Sequence, residues 1–177
     1  MNVIETRVKG VKLVQPTVFG DQRGFFLETF QKDRYQKLLD IDLEFVQDNH
    51  SRSSQGVLRG LHFQTAHPQG KLVRVVRGEV FDVVVDIRPD SPTFRQWVGV
   101  TLSEANKNQL WVPPGLAHGF VVISEFADFE YKCTDYYDPA NEGCLIWNDP
   151  EIGIEWPVAE PKLSAKDQQG KAFSELF

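Results

Sequence analysis

The stretch Leu72-Val-Arg-Val-Val-Arg-Gly-Glu-Val-Phe-Asp-Val-Val-Val-Asp-Ile87 decides the fold class. It contains two runs, Leu72–Val76 and Val80–Ile87, that are rich in β-branched residues. Such residues favour strands because their stiff side chains pack well on a pleated surface. Gly78 lies between the runs and permits a tight turn. The stretch therefore predicts two strands joined as a β-hairpin.

A two-residue turn at Arg77-Gly78 fixes the register of this hairpin. Val73 would then face Asp82, and Lys71 would lie diagonal to Asp82 on the same face. A buried lysine and carboxylate in such an arrangement can form an ion pair. One interpretation is a purely structural pair, and the other is part of a site, since ionisable groups with perturbed pKa values collect where proton chemistry is done.

Further short β-like runs follow, separated by turn-forming residues such as Asp90-Ser-Pro92 and Pro113-Pro-Gly115. Many short strands at this spacing predict an all-β protein, a sandwich or a barrel, of which the double-sheet jelly roll is one. The further strands are predicted over Trp97–Leu102, Gln109–Val112, Gly119–Ile123 and Phe126–Cys133. Few and short helices are expected. The clearest is Asp33–Leu39, with Asp33 as its cap and with Tyr35, Leu38 and Leu39 along one side.

Composition limits the function classes. The 177 residues are 41% hydrophobic and 25% charged, which predicts one packed globular domain over residues 1–177. The formal charge of −6 argues against a general affinity for nucleic acid or anionic membranes. No apolar run reaches the ~20 residues of a membrane span, and Met1–Gly10 lacks the apolar core of a signal peptide. Cys133 and Cys144 fit no metal-binding spacing, so a reducing cytoplasm is expected.

Two polar clusters stand out in this β-rich chain. The first is Arg59-Gly-Leu-His62-Phe-Gln64, and the second is Pro113-x-Gly115-x-x-His118-Gly-Phe120. This pair of motifs resembles that of the cupin superfamily, whose metal-binding members offer His-x-His in the first motif. Gln64 stands at the second of those positions, and an amide is a weak ligand for transition metals. We therefore expect no metal, and the alternative interpretation is two histidines packed and hydrogen-bonded inside a barrel.

The chain as a whole resembles the dTDP-4-dehydrorhamnose 3,5-epimerase family. The resemblance runs in order from about residue 8 to Asp167, without large insertions. It rests on Phe19-Gly-Asp-Gln-Arg23-Gly-Phe-Phe26, Gln47-Asp-Asn-His50-Ser, Arg59-Gly-Leu-His-Phe-Gln64, Gly70-Lys-Leu-Val-Arg74, Gly78-Glu-Val-Phe-Asp82, Pro113-x-Gly115-x-x-His118-Gly-Phe120, Tyr131-Lys-x-Thr-Asp-Tyr-Tyr137 and Leu163-Ser-Ala-Lys-Asp167. It implies a cupin-like jelly roll, a homodimer, no metal or other cofactor, and a dTDP-linked 4-keto-6-deoxyhexose as substrate.

The resemblance also implies a set of catalytic roles. His62 would be the general base, and Asp167 would orient its ring and stabilise its cation. Tyr131 would deliver a proton from the opposite side, although a lone tyrosine alternating with apolar neighbours is more often a core residue. Lys71 would stabilise the enolate oxygen, and Asp82 would hold the Lys71 ammonium in place.

The remaining matched residues would bind the nucleotide sugar. Arg23, Arg59 and Lys166 would supply positive charge for the diphosphate. Tyr137 would stack on the thymine, opposite a Phe26 contributed by the partner subunit. The rest of the implied substrate shell is Glu28, Gln47, Asn49, His118 and Glu142.

Two of these assignments have competing interpretations. Arg23, next to Gly24, also fits an ordinary turn. Arg59 falls on the opposite face from His62 in an unbroken strand, so a bend at Gly60 is required to bring both inward.

Two other functions remain open at the level of sequence. One is an epimerase that inverts only carbon 3 or carbon 5 of a related nucleotide sugar. The other is a non-catalytic jelly-roll module that binds nucleotide sugars. Such a module would not need His62, Lys71, Tyr131 and Asp167 together.

Overall fold

The computed structural model describes residues 1–177 and consists mainly of antiparallel strands. The strands are β1 (Asn2–Glu5), β2 (Lys12–Gln15), β3 (Val18–Asp21), β4 (Gly24–Leu27), β5 (Gln47–Ser54), β6 (Leu58–Gln64), β7 (Lys71–Arg77), β8 (Glu79–Asp86), β9 (Trp97–Ser103), β10 (Gln109–Val112), β11 (Leu116–Val122), β12 (Phe126–Cys133) and β13 (Glu142–Cys144). The helices are α1 (Lys32–Leu39), α2 (Ala165–Gln168) and α3 (Phe173–Leu176), with a 3₁₀ turn at Pro139–Asn141.

Two sheets form a sandwich. The six-stranded sheet has the order β1-β2-β10-β7-β12-β5, and the five-stranded sheet has the order β13-β6-β11-β8-β9. Their inner faces bury one apolar cluster that includes Val75, Val84, Leu110, Phe120 and Phe129. Alternation of side chains along each strand makes this possible, since every second residue points inward. The predicted all-β, cupin-like jelly roll with few short helices is confirmed.

The outer faces of both sheets are also partly covered. Helix α1 places Tyr35 and Leu39 against Trp111 of the six-stranded sheet. On the other side, Phe173 of α3 packs with Phe63 and Val85 of the five-stranded sheet. Helix α3 therefore lies against the outer face of the sheet that carries the polar motifs.

None of the helices is both long and apolar enough to cross a membrane.

The predicted hairpin between β7 and β8 is wrong, although both strands exist. Strand β7 pairs with β10 and β12, whereas β8 pairs with β11 and β9. Gly78, at φ +81°, turns the chain from one sheet to the other, and a Cβ there would lie 2.1 Å from the Phe126 carbonyl oxygen. Lys71 and Asp82 therefore belong to opposite sheets and are not cross-strand neighbours.

The helix prediction needs a smaller correction. Helix α1 begins at Lys32, and its cap is Gln31, whose side chain accepts a hydrogen bond from the Arg34 backbone N–H at 2.6 Å. Asp33 lies inside the first turn, where its charge suits the positive end of the helix dipole. The four other predicted strands are present as β9 to β12, and β11 begins earlier than predicted, at Leu116.

Strands β3 and β4 form a separate hairpin that joins neither large sheet. Phe19, Phe25 and Phe26 on this hairpin are 62%, 63% and 70% exposed. Exposed aromatic side chains of this size concentrate at protein interfaces. The hairpin is thus an apolar surface without a covering element in the single chain.

A buried carboxylate closes the turn that follows β8. Asp86 accepts hydrogen bonds from the Arg88 guanidinium at 2.8 and 2.9 Å, and from Ser91 Oγ and Thr93 Oγ1 at 2.6 Å each. Burial acts to raise the pKa of Asp86, but these hydrogen bonds outweigh it and lower the pKa to about 2. The network fixes the loop that connects β8 to β9.

We predict that the Asp86→Asn variant is less stable by about 2.5 kcal/mol at pH 7, because the pKa of Asp86 is lowered from 3.8 to about 2 and each pKa unit corresponds to about 1.36 kcal/mol. Because the folded pKa is depressed, this contribution is present above about pH 4 and decreases as pH falls toward 2. Urea denaturation of both proteins should show a stability difference at pH 3 of about half the value at pH 5. A difference that stays constant between those pH values would contradict the assignment.

Candidate active site

A polar cleft opens between the two sheets at one end of the sandwich. One wall comes from β6 and β13, and the facing wall comes from β7 and β12. The cleft is lined by His62, Phe63, Gln64, Pro68, Gln69, Lys71, Gly115, Leu116, Tyr131, Tyr137 and Glu142. His62 and Tyr131 project from different sheets, so they approach the cleft from opposite sides.

The His62 ring is held by a buried carboxylate. Its Nε2 lies 2.7 Å from Oδ1 of Asp167, which is 3% exposed and belongs to α2. Ser164 caps α2 and donates its hydroxyl to the other oxygen of Asp167 at 2.7 Å. Burial acts to raise the pKa of Asp167, but the hydrogen bonds from His62 and Ser164 lower it below its usual value. The carboxylate is therefore ionised beside the imidazole.

This contact selects a tautomer of His62. A carboxylate only accepts hydrogen bonds, so Nε2 carries the proton and the lone pair of the neutral ring is on Nδ1. Nδ1 has Glu142 Oε1 as its nearest carboxylate, at 3.8 Å, beyond hydrogen-bonding distance. The free nitrogen of His62 is thus available to accept a proton in the cleft.

Lys71, at the start of β7, is a half-buried cation with no acidic side chain within 4.0 Å. Burial lowers its pKa, while the more distant charges of Glu142 and Asp82 favour the ammonium form. An unpaired ammonium in a partly dry cleft interacts strongly with a negative oxygen placed beside it. Lys71 is therefore suited to stabilise an oxyanion.

The structure corrects the role expected for Asp82. Both oxygens of Asp82 contact Nε2 of His118, at 2.9 and 3.0 Å, and Asp82 is fully buried. Burial raises the pKa of Asp82, against the opposing effect of His118. Asp82 therefore bonds to His118 and not to the Lys71 ammonium, because the two strands lie in opposite sheets.

His118, expected in the substrate shell, is held by this contact with Asp82. It is 7% exposed, does not line the cleft, and lies beside His62 as its cross-strand neighbour. The interpretation of a packed, hydrogen-bonded histidine describes its position in this structure.

The predicted bend in β6 is present. Gly60 has φ +130°, and a Cβ there would lie 2.6 Å from the Gly119 Cα. The pairing of β6 with β11 shifts register at this point. The bend lets the Arg59 side chain reach the other sheet, where its Nε donates to Ser53 Oγ at 2.9 Å.

Tyr131 is partly buried, with Phe129 beside it in the core. Burial raises the pKa of Tyr131, and the positive charge of Arg59 opposes this rise. The phenol therefore keeps its proton at neutral pH and is available as a proton donor.

Tyr137 is held over the cleft by its loop and its hydroxyl. The backbone N–H of Tyr137 donates to Gln47 Oε1 at 3.0 Å, and its hydroxyl donates to Glu142 Oε2 at 2.6 Å. Lys166 also contacts Glu142 Oε2. Asn49 lies next to Gln47 and accepts a hydrogen bond from its amide at 3.2 Å. Five expected substrate-shell residues thus form one connected rim: Gln47, Asn49, Tyr137, Glu142 and Lys166.

Three expected residues are not brought to the cleft of the same chain. The Arg23 side chain is 89% exposed and pairs with Asp21 on the β3–β4 hairpin. Phe26 is on the same hairpin, and Glu28 accepts from Arg34 of α1 at 2.6 Å. Strands β3 and β4 pair only with each other, and none of the three residues lines the cleft of the same chain.

Sequence reasoning missed three contributions. Ser164 has a detectable signal, since Ser-x-x-Asp is a helix-capping pattern. Cys144 is directly opposite His62 on β13, which only the strand pairing shows. The sequence indicates only that Gln64 replaces a metal-binding histidine, and not that it holds two loops. Its amide nitrogen donates to the His67 carbonyl at 2.7 Å, and its oxygen accepts from the Asp138 N–H at 3.0 Å.

We predict that Gln64→Leu loosens the Tyr137 loop, because it leaves the Asp138 N–H and the His67 carbonyl without partners. Losing such buried hydrogen bonds costs about 1–3 kcal/mol. Amide hydrogen exchange should become faster around Asp138, and urea denaturation should show the lower stability. Gln55→Leu is the matched control, since Gln55 is exposed and donates to a single carbonyl, that of Ile123. Equal exchange rates in both variants would argue against a clamp at Gln64.

Comparison with known proteins agrees with this geometry. A family model for dTDP-4-dehydrorhamnose 3,5-epimerase matches residues 5–175. A dTDP-4-dehydrorhamnose 3,5-epimerase from Salmonella typhimurium is 58% identical over 94% of this chain and 92% of its own. A dTDP-4-dehydrorhamnose 3-epimerase from Streptomyces niveus is 40% identical over 95% of this chain and 82% of its own.

A crystal structure of a dTDP-6-deoxy-D-glucose-3,5-epimerase from Legionella pneumophila, in complex with dTDP-4-keto-L-rhamnose, is similar throughout. It superposes with a TM-score of 0.97 at 54% identity, covering 99% of this chain and 94% of that one. The family match and these identities both extend over nearly the whole sequence. The chain belongs to the dTDP-4-dehydrorhamnose 3,5-epimerase family.

Proposed function

We propose that the protein inverts carbons 3 and 5 of dTDP-4-dehydro-6-deoxy-D-glucose to give dTDP-4-dehydro-L-rhamnose. The observation that carries this proposal is the placement of His62 and Tyr131 on opposite walls of one cleft. Inversion at a carbon needs proton removal on one face and proton delivery on the other. The 3,5-epimerase from Salmonella typhimurium shares more identity with the chain than the 3-epimerase from Streptomyces niveus, which favours double inversion.

Proton removal is assigned to His62. The ketone at carbon 4 acidifies the hydrogens on carbons 3 and 5, and the lone pair on Nδ1 accepts one of them. An imidazole suits this step because its ordinary pKa lies near neutral pH. Asp167 then stabilises the imidazolium through the 2.7 Å contact at Nε2.

The enolate that forms needs a positive charge beside the carbon 4 oxygen. Lys71 is the cation in the cleft that has no carboxylate partner of its own. Its charge is in place before the reaction begins, so no reorganisation is required when negative charge develops. Losing one preorganised contact of this kind typically costs roughly 2.7–4 kcal/mol in the transition state.

Proton delivery is assigned to Tyr131. Its phenol is protonated at neutral pH, and it approaches the substrate from the sheet opposite His62. After delivery, the tyrosinate takes up a proton from solvent and the imidazolium releases one. The cycle thus returns both groups to their starting states with no net proton change.

The nucleotide is assigned to the rim of the cleft. Tyr137 stacks on the thymine, Arg59 and Lys166 approach the diphosphate, and Gln47 and Asn49 complete the shell. We further infer a homodimer in which Arg23, Phe26 and Glu28 serve the neighbouring cleft. The support is the β3–β4 hairpin, whose large aromatic side chains have no covering element in one chain.

We also propose that the reaction takes place in the cytoplasm and needs no metal or other cofactor. Gln64, at the position of a cupin metal ligand, uses both ends of its amide to hold two loops. Lys71 supplies the positive charge that a metal would otherwise provide to the ketone oxygen.

Deuterium exchange with proton NMR tests the division of labour. His62→Asn should lose both exchange and epimer formation by at least the ~10²–10⁴ attributed to general acid–base catalysis. Tyr131→Phe should still form the enolate and return solvent deuterium to the original face, so that exchange outruns inversion. In the unsubstituted protein, the configuration of the product read from its proton coupling constants shows which carbons are inverted, and inversion at one carbon only would indicate a mono-epimerase.

Two outcomes would overturn the roles. Full inversion in Tyr131→Phe would remove the phenol as donor, and normal exchange in His62→Asn would remove the histidine as base. No exchange in the unsubstituted protein with any 4-keto nucleotide sugar would favour a non-catalytic binding module.

The dimer has its own test. Sedimentation should show a stable dimer, and Phe26→Ala should raise KM because the stacking partner of the thymine is lost. Phe19→Ala on the same hairpin is the control for a general loss of apolar surface. A fully active monomer at assay concentrations would refute the shared cleft.

A further inference from the structure

Cys144 is a side chain beside the His62–Asp167 pair that the mechanism above does not use. Strand β13 places it directly opposite His62 on β6, so both side chains point to the same face of the sheet. The residue Cys144 is partly exposed, and its thiol makes only long contacts, 3.8 Å to the Gly60 carbonyl and 3.7 Å to the Leu145 carbonyl. The sulfur is therefore free to take another partner.

Three different donor atoms meet at this point. One nitrogen of His62, the sulfur of Cys144 and one oxygen of Asp167 all lie within 4.8 Å of one another. They come from β6, β13 and α2, so the surrounding fold fixes their relative positions. Imidazole, thiolate and carboxylate are the donors that zinc uses in proteins, at about 2.0–2.3 Å each.

We propose that His62, Cys144 and Asp167 form a binding site for a soft or borderline divalent cation such as Zn²⁺, and that its occupation inhibits the enzyme. A cation at such bond lengths separates neighbouring donors by about 3.3–3.8 Å in tetrahedral geometry. In the structure, His62 Nε2 and Asp167 Oδ1 are 2.7 Å apart, and no two of the three donor atoms are more than 4.8 Å apart. These distances bracket the tetrahedral range. Small side-chain shifts are sufficient, and water fills the fourth position.

The binding step balances as a proton exchange. The Zn–S bond forms as the S–H bond breaks, and the proton leaves to solvent. The cation binds Nε2 of His62 in place of the hydrogen bond to Asp167. The Nε2 proton leaves to solvent and Nδ1 takes one up, so the ring stays neutral. His62 can then neither accept a substrate proton nor receive support from Asp167.

The site discriminates among cations. A thiolate and an imidazole favour Zn²⁺ and Co²⁺, whereas Mg²⁺ prefers an octahedral shell of oxygens. The site is inhibitory and not a cofactor site, because it occupies the proposed base and leaves no free histidine in the cleft.

Titration of the full-length protein with Co²⁺ tests binding directly. We expect a thiolate-to-cobalt charge-transfer absorption that saturates at about one ion per chain, which is lost in Cys144→Ser and kept in Cys133→Ser. Cys133 is the matched control as the other thiol of the chain. A band that persists in Cys144→Ser would overturn the site. Cys144→Ala serves as a second variant should the serine disturb folding.

Inhibition gives the second readout. The half-inhibiting Zn²⁺ concentration should rise at least tenfold in Cys144→Ser, while Mg²⁺ leaves both proteins active and chelation does not reduce activity. This readout rests on the proposed role of His62, whereas the cobalt band does not. A normal band without zinc inhibition would support binding at the site and overturn the role of His62 as base. Equal zinc sensitivity of Cys144→Ser and the unsubstituted protein would overturn the inhibitory site.

Discussion

The crossing of the chain from one sheet to the other at Gly78 is the constraint on which the site depends. The turn has φ +81° and no room for a Cβ, so only glycine fits there without displacing Phe126. Near the turn, Val75 and Val80 lie in the core between the sheets. Farther from it, Lys71 lines the cleft, whereas Asp82 is buried in the opposite sheet beside His118. One continuous stretch of sequence thus supplies part of the apolar core, the cation of the cleft and the buried partner of His118.

Burying carboxylates in this sandwich requires a partner for each, since an unpaired buried charge costs several kcal/mol. Asp82 meets that requirement with His118, and Asp167 meets it with His62. The two histidines are cross-strand neighbours, yet their side chains are 8% and 28% exposed. The Asp82–His118 pair is almost completely buried between neighbouring strands of one sheet. The Asp167–His62 pair leaves one ring nitrogen in the cleft, so the two histidines differ in how far they are open to the cleft.

Strands β7 to β12 and the position of α1 followed from residue patterns, because β-branched runs and helical spacing act locally. The pairing of strands did not follow. A glycine between two such runs permits either a hairpin or a crossing between sheets, and contacts distant in sequence decide between them. The predicted hairpin at Gly78 places Asp82 beside Lys71, whereas the crossing between sheets places it beside His118. The bend at Gly60 was predictable because Arg59 and His62 could not otherwise share a face. The hairpin residues Arg23 and Phe26 remain predictions about a second chain.

Gln64 has a structural task at the position where a metal-binding cupin has a histidine ligand. An amide both donates and accepts, so one side chain joins the His67 and Asp138 loops and keeps Tyr137 over the cleft. A neutral histidine ligating a metal would have only one nitrogen left for such contacts. In the proposed reaction, the charge needed at the ketone oxygen then has to come from another residue of the cleft. Lys71 meets that need because its carboxylate neighbours are satisfied by other partners: Asp82 by His118, and Glu142 by Tyr137 and Lys166. Its ammonium is left without a carboxylate partner within the chain.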